Sequence, residues 1–355
     1  MILLKPSTAK SAQKNSGAKL RYLPDMVAGY KRVRRGKGYC YLDSAGGRIT
    51  EAKKLERFRA LAIPPAWKNV WISPSKKGHL QATGVDEEGR KQYLYHPEWT
   101  KERQRKKIER MLAFGSALQD IRRQIVKDLR HGSLIKEKSI AIALKVTEVT
   151  LIRIGNEHYL KKYGSYGLTT LKKRHVTIAD SNVTFRFSGK KGVKHEILVR
   201  NAALASNMRE LKQLTGPYLF QYLNDSGKRQ RLRAVDINAY LQRHTDPDFS
   251  SKDYRTWFAG LWAFHLLARC VDYGNEKECR ANIMSVLDAV SERLGNTRTV
   301  CKQYYVPDRL ISAYEDGSLL PFLKKCLNGR GVPTIKETER QLLAFLQLVA
   351  SETNT

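Results

Sequence analysis

Val176-Thr177-Ile178-Ala179-Asp180-Ser181-Asn182-Val183-Thr184-Phe185-Arg186-Phe187, continued by Ser188-Gly189-Lys190-Lys191-Gly192 and by His195-Glu196-Ile197-Leu198-Val199, is the stretch that decides the architecture. Val176 and Ile178 alternate with polar residues, Ala179 to Asn182 supply a turn, and Val183, Phe185 and Phe187 alternate again. Period-two alternation interrupted by polar and glycine turns reads as three strands of a meander. The sequence around it repeats at helical spacing instead. The expected fold class is therefore α+β: a small β-rich N-terminal domain followed by a mainly α-helical domain that carries this three-stranded β-meander.

Working outward, Ile108, Met111, Leu112, Leu118, Ile121, Ile125 and Leu129 recur at helical spacing through Lys101–Arg130. A second helix is expected over Ile140–Ile154, with Gly155 in the C′ position. Beyond the meander, helices are expected at about 201–214, 235–243, 252–271 and 276–294, with a last one at about 338–351. Ser250 and Asp253 form a capping pair for the third of these helices, and Gly295 closes the helix over 276–294. Towards the N-terminus, Gly38–Leu42, Val70–Ile72, His79–Thr83 and Gln92–Tyr95 are short apolar runs broken by Gly and Pro, with one helix near Glu51–Leu61. The expected domains are a basic disordered tail over 1–19, a β-rich domain over 20–98 and a mainly helical domain over 99–355.

Among 355 residues, Lys and Arg total 65 against 34 Asp and Glu, a formal charge of +31. Such an excess calls for a polyanionic partner, because each neutralised phosphate releases counterions. Five scattered cysteines (Cys40, Cys270, Cys279, Cys301 and Cys326) include no Cys-x-x-Cys pair, which argues for a reducing compartment and against a zinc site. No signal peptide and no apolar run of about 18 residues is evident, so an intracellular protein without a membrane partner is expected.

Three cations stand in short stretches that present them. Arg153 lies in Leu151-Ile152-Arg153-Ile154-Gly155, Lys190 in the glycine-flanked turn, and Arg255 in Asp253-Tyr254-Arg255-Thr256-Trp257. They are followed by Tyr305. A phenol with several fixed cations is the equipment for moving a phosphodiester onto tyrosine.

With these pieces placed, the sequence resembles the type IB DNA topoisomerases, in the short form found in poxviruses and some bacteria. The resemblance covers roughly residues 20–330. It is carried by Arg153-Ile154-Gly155, Gly189-Lys190, Tyr254-Arg255-Thr256, Gly295-Asn296-Thr297 leading to Tyr305, and Gly89-Arg90-Lys91-Gln92-Tyr93-Leu94-Tyr95. The family places its nucleophile nine residues beyond the position of Asn296, which selects Tyr305 over its neighbour Tyr304.

The resemblance implies that Tyr305 attacks the scissile phosphorus to give a 3′-phosphotyrosyl strand and a free 5′-hydroxyl. Tyrosine ionises near pH 10 when unperturbed, so its surroundings must activate it. Arg153 and Arg255 would clamp the non-bridging oxygens, where a charged planar fork suits the developing charge. Lys190 would protonate the departing 5′ oxygen, its own pKa lowered by burial beside other cations. Asn296 stands where the family more often has histidine; its amide can donate a hydrogen bond to a phosphate oxygen but carries neither charge nor proton.

The resemblance further implies that Gln92, Tyr93 and Tyr95 face DNA, with Arg90, Lys91 and Lys191 touching backbone phosphates. It implies no cofactor and no metal, since cations do the electrostatic work. A monomer clamping double-stranded DNA in a bacterial nucleoid is expected, or in a virus. Two other classes compete: a tyrosine recombinase, and a nucleic-acid binder without catalysis, which the charge alone would explain.

Some features have plainer readings. Lys31-Arg32-Val33-Arg34-Arg35-Gly36-Lys37 reads as a contact with the DNA duplex, with a solvated loop or a localisation signal as the alternatives. His265 reads as a core histidine, and His158, His175 and His195 show no metal-ligand grouping.

Overall fold

The computed structural model describes residues 20–245 and 248–352. The expected disordered tail over 1–19 lies outside the described residues. The chain divides into two compact units, one ending at Arg103 and one beginning at Gln104.

The first unit is a five-stranded antiparallel sheet of order β2-β1-β3-β4-β5, built from β1 (Tyr30–Arg35), β2 (Gly38–Leu42), β3 (Lys68–Ile72), β4 (Leu80–Val85) and β5 (Lys91–Tyr95). Helix α1 (Ala52–Ala60) supplies Phe58 to a small core with Tyr41, Ile63, Val70, Ile72 and Ala82. Four of these strands match expected runs. The basic run, for which no strand was expected, forms β1, an interior strand paired with both β2 and β3. The reason is Arg32. Its side chain points inward and its guanidinium donates to the carbonyls of Ile63 at 2.7 Å, Pro64 at 2.8 Å and Trp67 at 3.0 Å. A buried charge of this kind survives only when its donors are satisfied. Arg32 is therefore a structural residue, while Lys31, Arg34 and Arg35 remain exposed on the same strand.

The second unit begins within α2 (Pro97–Leu129) and is built around α3 (Lys136–Thr150) and α7 (Ser251–Leu267). Both are apolar on nearly every side, as central helices must be. Helix α7 buries Tyr254, Trp257, Phe258, Leu261, Phe264 and Leu267. Ser250 and Asp253 cap it as expected, with the Ser250 amide donating to the Asp253 carboxylate at 2.9 Å. The helix stops at Leu267, short of the expected end at Val271.

Between α3 and α7 come α4 (Glu157–Tyr163), the meander of β6 (Val176–Ala179), β7 (Asn182–Ser188) and β8 (Lys194–Arg200), α5 (Ala202–Gln213), the small hairpin of β9 (Gln221–Leu223) and β10 (Arg229–Arg231), and α6 (Ala234–Arg243). After α7 follow α8 (Glu276–Leu294), α9 (Arg298–Tyr304), α10 (Asp308–Glu315), α11 (Leu320–Lys324) and α12 (Ile335–Glu352). The meander pairs in the expected order, with Phe185 opposite both Val176 and Ile197, and Phe187 opposite His195. Val183, Phe185 and Phe187 all point into the core. Among the described residues no helix is long and apolar enough to cross a membrane.

Candidate active site

The site begins where α3 ends. Helix α3 was expected to run to Ile154 and stops at Thr150, because Leu151 turns into the left-handed region at φ 54°. That conformation costs a branched residue roughly 1–2 kcal/mol. Complete burial of the Leu151 side chain in the core offsets the cost. Arg153 is consequently in an extended segment, and the adjacent chain fixes it there: its carbonyl accepts from the Leu168 amide at 2.8 Å, while Gly155 and Gly167 pack backbone to backbone beside it.

The side chain of Arg153 reaches the C-terminus of α8, donating to the Leu294 carbonyl at 3.1 Å and the Gly295 carbonyl at 3.4 Å. A second nitrogen donates to the Asn296 side-chain oxygen. Arg255, from the first turn of α7, comes to the same place. It is buried, and its fork donates to the carbonyls of Leu151 and Leu294. Two guanidiniums thus share the carbonyl end of one helix, where the unpaired carbonyls and the helix dipole both favour positive charge. Burial still lowers the pKa of both arginines, and for Arg255 the neighbouring Arg153 charge lowers it further.

Tyr305 caps the short helix α9, its amide held by the Cys301 carbonyl at 3.0 Å. The Arg255 guanidinium carbon lies 5.4 Å from the centre of the Tyr305 ring. Burial pushes the phenol pKa up, but the charges of Arg255 and Arg153 outweigh it and leave the phenol below its ordinary range. The neighbouring Tyr304 is 49% exposed, against this half-buried phenol under the cations.

Two buried donors in this cluster have no protein partner: Arg255 Nε and Asn296 Nδ2. Leaving such groups bare costs about 1–3 kcal/mol each. The orientation of the Asn296 amide follows from Arg153, which takes its oxygen and leaves the NH2 over. A tetrahedral anion bearing several oxygens fits this set of spare donors and fixed cations.

Lys190 occupies the turn between β7 and β8, followed by Lys191 at φ 62°. Lys190 and Arg153 line one cavity of about 740 Å³, together with Tyr159, Tyr163, Tyr166 and Lys191. Lys190 itself is exposed, contrary to the burial expected for it. In the first unit, Tyr93 and Tyr95 stack with ring centres 6.1 Å apart. Arg90 is paired with Asp86 at 2.7 Å, Lys91 with Asp25 at 2.5 Å, and Gln92 donates to Asp86 at 2.8 Å.

Two residues at the site were not singled out by sequence reasoning. Lys107 of α2 donates to the Val306 carbonyl at 3.1 Å, bracing the chain just after Tyr305. His195 of β8 lies against Gly295, the residue before Asn296. The sequence did signal His195 through the alternation that sets it opposite Phe187, but only the tertiary fold brings α8 to its other side. His265 is a core histidine as expected, with Nδ1 3.1 Å from the Thr338 hydroxyl. Among the described residues no cluster of His, Cys, Asp or Glu could hold a metal ion.

A mainly helical domain with an inserted three-stranded meander, and a tyrosine beneath guanidiniums at a helix end, is the arrangement expected of a type IB DNA topoisomerase. Residues 96–316 match the family described as "Eukaryotic DNA topoisomerase I, catalytic core", and residues 38–86 match "Bacterial DNA topoisomerase IB, N-terminal domain". The chain therefore belongs to the type IB DNA topoisomerases, isomerases that act on DNA. It is 29% identical over 298 residues to a DNA topoisomerase 1B of Acanthamoeba polyphaga mimivirus, covering 82% of this chain and 89% of that one. It is 22% identical to the DNA topoisomerase 1B of Vaccinia virus (strain Copenhagen), covering 68% of this chain and 74% of the relative. Among solved structures it is similar to the XerH site-specific recombinase bound to difH substrate, at a TM-score of only 0.33 and 17% identity, over 64% of this chain and 58% of that one.

Proposed function

We propose that Tyr305 is the nucleophile of this topoisomerase and that Arg153, Arg255, Asn296 and Lys190 are its catalytic partners. The observation that carries the assignment is the pair of unpartnered buried donors, Arg255 Nε and Asn296 Nδ2, set beside the phenol whose pKa the two guanidiniums depress.

Tyr305, its proton released to solvent with the help of the neighbouring cations, attacks the scissile phosphorus as phenolate and the bond to the 5′ oxygen breaks, giving a 3′-phosphotyrosyl strand and, once that oxygen is protonated, a 5′-hydroxyl. Arg153 and Arg255 hold the non-bridging oxygens, and the Asn296 amide adds a neutral donor. Such preorganised donors typically supply about 10²–10³ in rate each. Lys190, presented on its turn over the cavity it shares with Arg153, delivers the proton to the leaving 5′ oxygen. Bound DNA would supply the desolvation that the exposed lysine lacks in the free chain. The duplex beyond the nick then rotates, and the 5′-hydroxyl reverses the reaction. The phosphotyrosine bond conserves the phosphodiester energy, so supercoils of either sign relax without ATP.

In the first unit, Tyr93 and Tyr95 offer a stacked aromatic face, and Gln92, Arg90 and Lys91 stand on the strand and turn beside it. We assign these residues and Lys191 to DNA contact, with Arg90 and Lys91 exchanging carboxylate partners for phosphates. The protein would work as a monomer. The match to a bacterial N-terminal domain supports action on chromosomal DNA in a bacterial nucleoid.

The test is relaxation of negatively and positively supercoiled plasmid in EDTA without ATP, with Tyr305→Phe alongside. Relaxation by the wild type only, with plasmid binding retained by both proteins, is expected. Activity in Tyr305→Phe would overturn the assignment of the nucleophile.

A further inference from the structure

His195 is not among the residues assigned above, yet it occupies the joint between two of them. Its imidazole stacks on Phe187 with ring centres 4.8 Å apart and an interplanar angle of 16°. On one side it fills the space of the side chain that Gly189 lacks: a methyl group there would lie 2.6 Å from Nε2. On the other side it does the same at Gly295, where a methyl group would lie 2.4 Å from Cε1. Gly189 precedes Lys190, and Gly295 precedes Asn296. The ring is therefore a flat wedge between the turn that carries the lysine and the helix end that holds both arginines.

The geometry points to His195 as a positioning residue that sets the height of the Lys190 turn over the scissile phosphate, acting by the shape of its ring rather than by proton transfer. This rests on the assignment of Lys190 as the proton donor.

Three observations favour shape over acid–base chemistry. The recorded contacts of the ring are those of shape, its face on Phe187 and its edges against the backbone of Gly189 and Gly295. Burial, Arg153 and Arg255 all hold the imidazole pKa below its ordinary value, which favours the neutral ring. The Lys190 turn has few other supports. Its base is held by the Ser188–Lys194 pairing, the Tyr166 amide donating to the Ser188 carbonyl at 2.8 Å and the Gly189 amide to the Val193 carbonyl at 2.7 Å, but the tip has only the Gly192 amide donating to the Gly189 carbonyl at 3.1 Å, and Lys190, Lys191 and Gly192 are exposed. Without the wedge, the turn is free to sink towards Gly295. A displacement of that order costs a proton-transfer step up to about 10²-fold.

The experiment measures single-turnover cleavage of two duplexes that differ at one atom, the bridging 5′ oxygen or a bridging 5′ sulfur. A thiolate leaves without a proton, so losses that act through the proton donor vanish on the sulfur substrate, whereas losses in the phosphate clamp persist. Wild type, His195→Ala, His195→Phe, Lys190→Ala and Arg153→Ala are compared as full-length chains, with circular dichroism melts for each. The expected result is a loss of about 10- to 100-fold for His195→Ala on oxygen that disappears on sulfur, as for Lys190→Ala. His195→Phe, which keeps a flat ring on Phe187, should recover most of the oxygen rate.

An equal loss on both substrates, or no loss on either, overturns the proposal. A phenylalanine variant as slow as the alanine one overturns the role of shape. If Lys190→Ala itself is not rescued by sulfur, the acid assignment falls first, and the inference falls with it by a distinguishable route. Should His195→Ala fail to fold, His195→Gln, which keeps part of the volume, carries the same comparison.

Discussion

At the scale of single residues, the decisive effect is the balance at Tyr305. Burial alone would raise the phenol pKa, and two guanidiniums reverse that. The linkage has a definite sign. A folded-state pKa below the unfolded value of about 10 adds stability that is fully present above pH 10 and lost as pH falls through the folded value. Tyr305→Phe should therefore match wild type in urea melts at pH 7 and fall behind it only in alkaline solution. A difference spectrum of wild type minus Tyr305→Phe should show the phenol ionising below pH 10. A variant already much less stable at neutral pH would show that the tyrosine serves packing more than charge. The motif register selected Tyr305 from the sequence, but this balance could not be read there. It depends on a 5.4 Å approach between groups fifty residues apart in the chain.

At the scale of elements, legibility followed the range of the forces that set each boundary. The meander was readable because alternation is local and the Gly189–Gly192 turn ends it. Helix α8 was readable because Gly295 takes φ 56° at its C-terminus. The end of α3 was not, since Leu151 adopts a left-handed conformation that only the surrounding core stabilises. Nor did the sequence show that the free carbonyls at the end of α8 would gather Arg153 and Arg255. The inward turn of Arg32 in β1 was hidden for a related reason: charge counts cannot tell an inward arginine from an outward one. A pair of variants separates them. Arg32→Gln leaves buried carbonyls of the Ile63–Trp67 segment without donors and should destabilise the protein on the order of 3 kcal/mol. Arg34→Gln, at an exposed position of the same strand, should leave the melting curve unchanged and reduce DNA affinity. Equal melts for the two would refute the structural role of Arg32.

At the scale of the whole molecule, the formal charge of +31 sets how the enzyme meets DNA before any chemistry occurs. Charge of this size acts through counterion release, so affinity should fall linearly on a log–log plot against salt, with a slope of about −0.9 per phosphate neutralised. For 6–10 contacts, binding should weaken about 10³–10⁵-fold between roughly 50 and 200 mM salt. The charges are not equivalent, because several are already spent within the free chain. Lys91 is ion-paired with Asp25 and Arg90 with Asp86, so each must give up a carboxylate before it gains a phosphate. Lys191 is exposed on its turn and, among the described residues, pairs with no carboxylate. Fluorescence anisotropy across a salt series should then show Lys191→Gln lowering the slope by about 0.9, one phosphate's worth. Lys91→Gln should cost less affinity than Lys191→Gln, because the wild-type contact is reduced by the ion pair that must be broken, while Asp25→Asn should tighten binding by freeing Lys91. A slope near zero would remove counterion release as the source of affinity, and an unchanged slope in Lys191→Gln would take that residue off the DNA.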